Sequence, residues 1–391
     1  MKSIAVGILG TELAGWGGGV DLLRTIVSAL ALKAGQAPIV PVLFLPRNRP
    51  DLIESFGGIL GTSPIRIIPV EHALDVAREL NAHSAAVLLP ILNPLPQGIP
   101  WSWIGYIYDF QHKYYPQFFS VEEIGRRDKI FARLANEPPA LIVNSQAVKD
   151  DIDRFLPGHR GQIFVMPFAS AALAEKFDEP GENLAEKYKL PTRYFIISNQ
   201  FWVHKSHETA FEALALLRRE PSCADIAIVC TGHRGDRRFP GYFDQLLSRV
   251  GRLGLADSIF TLGHIPKDEQ IHLMMNAIAV LQPTLFEGGR GGGSVSHAVA
   301  LGVPAIVSDI AVNRELNERN VFFFRTGSSE DLAARMAELA LRPRARPGRE
   351  QLLAESHQRL ARLGDCLLEV VDYASGMYRR RAQMEKVGWE S

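Results

Sequence analysis

The chain has 391 residues, 47% hydrophobic and 22% charged, with 43 basic residues against 43 acidic ones. That length suits two domains, the balance is that of a soluble globular protein, and a net charge of zero removes any global field toward nucleic acid or membrane. Cys223, Cys230 and Cys366 form no CxxC pair and no zinc spacing, so they read as buried or incidental thiols, and nothing in them points to an oxidising compartment.

The first segment, "MKSIAVGILG", is too brief for a signal peptide and reads as a strand. No window reaches 18 uninterrupted apolar residues, so no transmembrane helix is expected and the chain is placed in the cytoplasm. Next, "TELAGWGGGVDLLRTIVSAL" predicts a glycine-rich turn and then a helix with Leu22, Leu23, Ile26, Val27 and Leu30 on its apolar side. Gly17, Gly18 and Gly19 leave room for a ligand at that helix N-terminus. The second strand ends in "VLFLPRN", without the acidic residue that a dinucleotide ribose requires, which counts against an NAD site. "AAVLLPIL", "IGYIY" and "ALIVNS" continue as buried parallel strands.

After the fourth apolar run comes "YIYDFQHKYYPQFFS", where Asp109, Gln111 and His112 crowd a strand end among aromatics. Aromatic faces stack on sugars, and Asp or His orients hydroxyls or moves protons. The Asp-x-Asp of Asp151–Asp153 falls in the helical pattern "NSQAVKDDIDRFLP" and reads as a solvated helix face, so no metal site is assigned. A polar stretch from about Ser170 to Arg193 follows and marks a domain boundary.

The second series of strands is "RYFIIS", "DIAIVCTG", "SIFTLG", "AIAVLQPT" and "PAIVSD". Behind "RYFIIS", His204 and Lys205 precede a helix that begins near Ser206. A lysine there is a point charge suited to a diphosphate, whereas His204 and His207 read as structural. Behind "AIAVLQPT" comes Glu287, then Gly288, Gly289, Arg290, Gly291, Gly292 and Gly293, then Ser294 as the expected N-cap of a helix whose core face is Val295, Ala298 and Val299. Bare glycines let a ligand approach unpaired helix N–H groups, which favour an anion, and Arg290 adds charge. A carboxylate only accepts hydrogen bonds, so Glu287 suits sugar hydroxyls and not phosphate. The loop thus predicts a ligand with phosphate at one end and hydroxyls at the other. After the break "LRPRARPGRE", a long helical pattern from Leu353 ends in Arg379–Arg381, which complement a helix C-terminus and weakly favour anionic lipid.

Taken together, "GGGVDLL", "YDFQHKYYPQFFS", "LIVNSQAVKDDI", "SNQFWVHKSH", "LGHIPKDEQIHLMMNA" and "PTLFEGG…VALGVPAIVSDI" resemble, in order and spacing, the GT-B-fold glycosyltransferases of family 4 (glycosyl transferases group 1) over nearly the whole chain. The resemblance implies two Rossmann-like α/β domains facing across a cleft: residues 1–175 on the acceptor side, 176–365 on the donor side, and a C-terminal helix, 366–391, that packs back on the first domain. It implies a retaining transferase of surface-polysaccharide synthesis that needs neither metal nor cofactor. The donor is a nucleotide-diphospho-sugar and the acceptor a glycan or lipid-linked molecule, with peripheral membrane contact and no nucleic acid. Lys205, with Asn199 nearby, would sit on the diphosphate and Glu287 on the donor sugar. Thr231, Gly232, His264 and Ile265 would lie near the nucleoside. Gly18 and Gly19 would close over the phosphates, and Asp109 and His112 would face the transferred sugar and acceptor.

Three departures stand out. Family members commonly carry two glutamates with seven residues between them; counted that way from Glu287 this chain has Val295, and aligned by its "HAVALG" helix it has His297. The arginine that often precedes the phosphate lysine is replaced by Asn199-Gln200, and Tyr108 stands where many relatives have histidine. These leave two alternatives: a nucleotide-sugar epimerase of the same fold, or a non-catalytic nucleotide-sugar-binding subunit.

Overall fold

The computed structural model describes residues 3–61, 63–83, 86–170, 173, 183–343 and 347–387, with side chains as far as Met377. The chain divides into two compact units, residues 1–171 with 357–391, and residues 172–356. Most of the polar stretch between Ser170 and Arg193 falls outside the described residues.

Apolar runs with few polar interruptions form buried parallel strands, because both faces of such a sheet are covered by helices. In the first unit these are β1 (Ile4–Leu9), β2 (Ile39–Pro46), β3 (Arg66–Val70), β4 (Ala86–Ile91), β5 (Ser102–Ile107), β6 (Ala140–Val143) and β7 (Gln162–Val165), in the order β3-β2-β1-β4-β5-β6-β7. In the second they are β8 (Tyr194–Ser198), β9 (Ala227–Thr231), β10 (Ile259–Gly263), β11 (Val280–Gln282), β12 (Ala305–Ser308) and β13 (Val321–Phe324), in the order β10-β9-β8-β11-β12-β13. Both sheets reverse direction of growth beside their first strand, at β1/β4 and at β8/β11. Loops leave such neighbours toward opposite faces and open a crevice at the carboxyl ends, where ligands bind in this class of sheet.

Sequence reasoning overlooks β3, β7 and β13. All three are edge strands, only partly buried along their length, so their apolar signal is weaker than that of the central strands.

Alternation along β1 feeds two cores. Ile4, Val6 and Ile8 join Leu23, Ile26 and Leu30 on one side of the sheet, while Ala5 joins Phe44, Leu88 and Leu141 on the other. The helix Gly17–Lys33 does not follow a glycine turn: the three glycines are its own first turn, behind Trp16. A Cβ on Gly19 would lie 2.3 Å from the Leu13 carbonyl oxygen and 2.8 Å from the Trp16 ring, whereas one on Gly18 would come no closer than 3.3 Å to Trp16 Nε1. Gly19 is therefore a packing requirement, and Gly18 is the exposed member.

The last helix begins at Arg349, ahead of the expected Leu353, and runs to Val387. The chain re-enters the first unit at His357, not at 366. Its apolar stripe, Leu360, Leu363, Leu367, Val370 and Val371, belongs to the core that holds Ile26 and Leu30. Close approach is set by Gly364, where a Cβ would sit 2.8 Å from the Ala29 carbonyl oxygen; Lys33 and Asp365 pair across the same contact at 2.5 Å. The side chains of Arg379–Arg381 lie outside the described residues. Among the described residues no helix is long and apolar enough to cross a membrane.

Candidate functional site

In the second unit the loops after β8 and β11 meet over the β8/β11 crevice. The first runs through a 3₁₀ turn, Val203–Lys205, and reaches the helix His207–Leu217 at Ser206, which has φ +50°. The second is tied to it through the His204 carbonyl oxygen, which accepts from Thr284 Oγ1 at 3.1 Å and Leu285 N at 2.8 Å. This brings Lys205 Nζ onto Glu287 Oε1, with the two side chains only 11% and 13% exposed.

Behind that pair stands Gln282, the last residue of β11, 1% exposed. Its Nε2 donates to Glu287 Oε1 at 2.8 Å, and its Oε1 accepts from Asn199 Nδ2 and from Ser294 Oγ. Every polar atom of this buried amide is thereby engaged, as burial demands, and Glu287 is held in one orientation. Sequence reasoning missed Gln282. Its signal was a lone polar residue ending an otherwise apolar strand.

The glycines behind Glu287 shape the approach. Gly291 and Gly292 have φ of +68° and +65°, which glycine adopts without steric cost. Gly291, and not Ser294, is the N-cap of the helix Gly292–Ala300. Ser294 is its third residue, turned to Gln282 at 3.2 Å. A Cβ on Gly292 would stand 3.5 Å from Glu287 Oε1, so its absence leaves that carboxylate uncovered. The first-turn amides, including that of Gly293, form a nine-residue helix's N-terminus beside a lysine, an arrangement that attracts anions. Arg290 is paired with Glu315, Nε to Oε2 at 2.9 Å, so much of its charge is already met locally.

Toward β9 and β10, Thr231 is buried between Ser198 Oγ at 2.8 Å and Gln270 Nε2 at 3.1 Å. Gly232 has φ +136°, and a Cβ there would overlap the Asn199 carbonyl oxygen at 2.1 Å; its N–H is bound to the Gly263 carbonyl at 2.8 Å. His264 is exposed and stacks on His233, centroids 4.7 Å apart and nearly parallel, while Ile265 is buried. His297 has Nδ1 3.4 Å from Lys267 Nζ.

Two histidines flank Lys205. Burial, then the Lys205 charge, lowers His204 from 6.5 to about 2 and His207 to about 3. His207 stacks on Phe201 with centroids 4.4 Å apart. Both rings are neutral packing groups, so at neutral pH they add no charge beside the lysine.

In the first unit the Asp109/His112 pair follows β5. Asp109 Oδ1 accepts from Gln111 N at 3.0 Å and lies 3.8 Å from Arg127 Nη1. The His112 ring is fully buried beside Phe110, Phe119 and Phe131. Its Nε2 meets Asp128 Oδ1 at 3.0 Å, and burial holds its pKa below 6.5. Asp128 also takes Lys113 Nζ at 2.7 Å. Arg127 and Asp128 gave no sequence signal, because they lie on the helix Val121–Asn136, remote in sequence from what they support. The Asp151–Asp153 pair lies on the helix Gln146–Phe155, where Tyr114 donates to Asp151 and His159 meets Asp153 at 2.9 Å. No group of three or more His, Cys, Asp or Glu placed to hold a metal occurs among the described residues.

Residues 182–353 match the family model described as "Glycosyl transferases group 1". The match spans the Lys205–Glu287 crevice. Among solved structures, a glycosyltransferase from Rickettsia africae ESF-5 is similar at 14% identity and TM-score 0.63, covering 95% of this chain and 98% of that one. Anabaena HepE in complex with UDP and glucose is similar at 15% identity and TM-score 0.59, covering 98% and 99%. Sucrose-phosphate synthase from Thermosynechococcus elongatus is similar at 14% identity and TM-score 0.57, with 100% of both chains covered. No curated protein matches the chain. The chain shares with these structures an α/β fold of two Rossmann-like domains, the GT-B fold.

Proposed function

We propose that this chain is a retaining glycosyltransferase, of the family-4 kind, that moves a sugar from a nucleotide-diphospho-sugar to a hydroxyl-bearing acceptor. One observation carries the reading: an ammonium and a carboxylate meet at the β8/β11 switch, in front of a glycine-lined helix N-terminus. Lys205 and the first-turn N–H groups suit the diphosphate, and Glu287, fixed by Gln282, suits sugar hydroxyls. The match of residues 182–353 to group 1 glycosyltransferases and the UDP and glucose of the HepE complex support the same assignment.

In the reaction the bond between donor C1 and the phosphate oxygen breaks, and its electron pair leaves with the nucleoside diphosphate. The acceptor oxygen bonds C1 on the same face, and its proton is released. Negative charge grows on the leaving phosphates, and Lys205 and the helix amides stabilise it electrostatically. Since an ammonium and amides meet this charge, turnover is expected to survive EDTA; loss restored by added magnesium or manganese would overturn that point.

Product analysis tests the whole reading. Incubation with a panel of nucleotide sugars and hydroxylated acceptors is expected to release nucleoside diphosphate only when acceptor is present, with one glycosylated product of retained configuration. Isomerised donor without acceptor would assign an epimerase, and binding without any turnover a non-catalytic subunit.

A further inference from the structure

The first unit carries a second crevice, at the β1/β4 switch, and there the structure holds a cavity of about 910 Å³. Its size falls within that of small-molecule sites, which run roughly 300–1,000 Å³. It opens at the carboxyl ends of β1, β2 and β3, lined by Leu9, Pro46 and Val70.

Asn48, His72 and Gln97 are among its polar lining residues, and its apolar side chains come largely from the helix Ala73–Asn81 and the loop after β4. The helix Ala73–Asn81 buries Val76 and Leu80 in the core. Leu74, Ala77 and Asn81, spaced three and four apart, line the cavity, with Ala73 and the core residue Val76 of the same helix. Leu74 is 74% exposed, a large apolar side chain left in water beside a concave surface. Opposite it, the loop after β4 contributes Leu95, Ile99 and Trp101. Trp101 Nε1 donates to Asn81 Oδ1 at 2.7 Å, which satisfies the indole's one polar atom and fixes its ring as a wall.

Two acids line the site, Glu12 and Glu71. Glu12, just beyond β1, receives Leu92 N at 2.8 Å and Asn93 Nδ2 at 2.7 Å, so its carboxylate ties the loops after β1 and β4 together. A carboxylate has about four acceptor positions, and two are engaged. At the rim Arg47 is paired with Glu71 at 3.2 Å. A fixed anion, with the lining's arginine already paired to Glu71, disfavours a phosphate and favours a neutral hydroxyl donor.

We propose that this cavity binds the acceptor by an apolar aglycone, aliphatic or aromatic, packed between Leu74 and Trp101, with a neutral hydroxylated head at Glu12. The word acceptor rests on the transferase reading; the binding does not. Titration calorimetry on the full chain, without nucleotide, compares octyl β-D-glucopyranoside below its micelle concentration with methyl β-D-glucopyranoside. Burying the longer chain is expected to tighten binding at least about tenfold. Leu74→Asp and Trp101→Ala are each expected to weaken octyl glucoside at least about tenfold. Leu74 is exposed, so the thermal midpoint of Leu74→Asp should stay unchanged. Equal affinities for the two glucosides, or undiminished octyl glucoside binding by folded Leu74→Asp, would overturn the proposal. Octyl glucoside binding that Leu74→Asp weakens, in a protein that transfers no sugar, would keep the cavity and remove the transferase reading. Transfer to acceptors without an apolar portion, with no octyl preference, would do the reverse.

Discussion

In the second unit the switch crevice is bridged by Lys205 on Glu287 and backed by a buried glutamine and positive-φ glycines. In the first unit the equivalent crevice is bridged by Glu12 on Leu92 N and Asn93, and its walls are leucine, isoleucine and tryptophan. The two sheets share one winding order, yet one crevice is furnished for charge and hydroxyls and the other for apolar surface. Topology decides where a ligand sits, and the loops after the strands decide which ligand.

The sharpest way to break that contrast is Lys205→Ala. A charge-assisted contact to phosphate contributes about 1.5–3 kcal/mol, so catalytic efficiency and nucleoside-diphosphate affinity are expected to fall roughly 10- to 150-fold. Octyl glucoside binding in the first unit should not change. Unaltered nucleotide affinity in the folded variant would remove the phosphate role.

Acid should separate the units next. His204 and His207 stay neutral in the fold, with pKa values lowered from 6.5 to about 2 and about 3. The unfolded chain takes up protons below pH 6.5 while the fold does not, so the fold loses stability as pH drops from there toward the folded values. At pH 5 each histidine should cost about 2 kcal/mol by linkage. His207→Phe keeps a ring on Phe201 and removes one titration. Denaturant unfolding should show the variant gaining about 2 kcal/mol relative to the parent between pH 7.5 and 5. A pH-independent difference would mean that His207 takes up its proton in the fold as readily as in the unfolded chain.

The glycine turns offer a smaller test. Gly19→Ala meets the Leu13 carbonyl and Trp16 and is expected to cost about 1–3 kcal/mol. Gly18→Ala has only Trp16 Nε1 at 3.3 Å and is expected to stay within about 0.5 kcal/mol. Thermal melts of the two variants decide it; equal losses would contradict the packing of Gly19.

Smallest in binding is Glu287→Gln. Releasing Lys205 from its carboxylate should raise affinity for free nucleoside diphosphate about two- to fivefold, while turnover falls if, as proposed, Glu287 faces the sugar. Collapse of diphosphate affinity with intact turnover would place Glu287 at the wrong end of the ligand.

Central strands were readable because burial on both faces leaves an apolar run; the partly exposed edge strands β3, β7 and β13 were not, whereas the edge strand β10 was, from "SIFTLG". Lys205 and Glu287 could be singled out, since a charge between a strand and a glycine-led helix stands out locally. That the two touch was not readable, as 82 residues separate them. Gln282, Glu12, Arg127 and Asp128 escaped for the same reason: each acts on a partner from another loop or helix. Ser294 was expected as a cap because serine favours that role, but Gly291 in the left-handed region takes it and leaves the hydroxyl for Gln282.

The last helix sets an order of events during synthesis. The face of Ile26 and Leu30 is completed by Leu360, Leu363 and Leu367, and the whole second unit, residues 172–356, lies between residue 171 and residue 357. At ~5–20 residues per second, a nascent chain waits roughly 10–40 s with that apolar face open. Every strand of the second unit is made in that interval, while the core of the first stays incomplete until it ends. A chaperone's opportunity, and a stalled ribosome's hazard, therefore lie in the first unit, because the helix that closes it is made after the second unit.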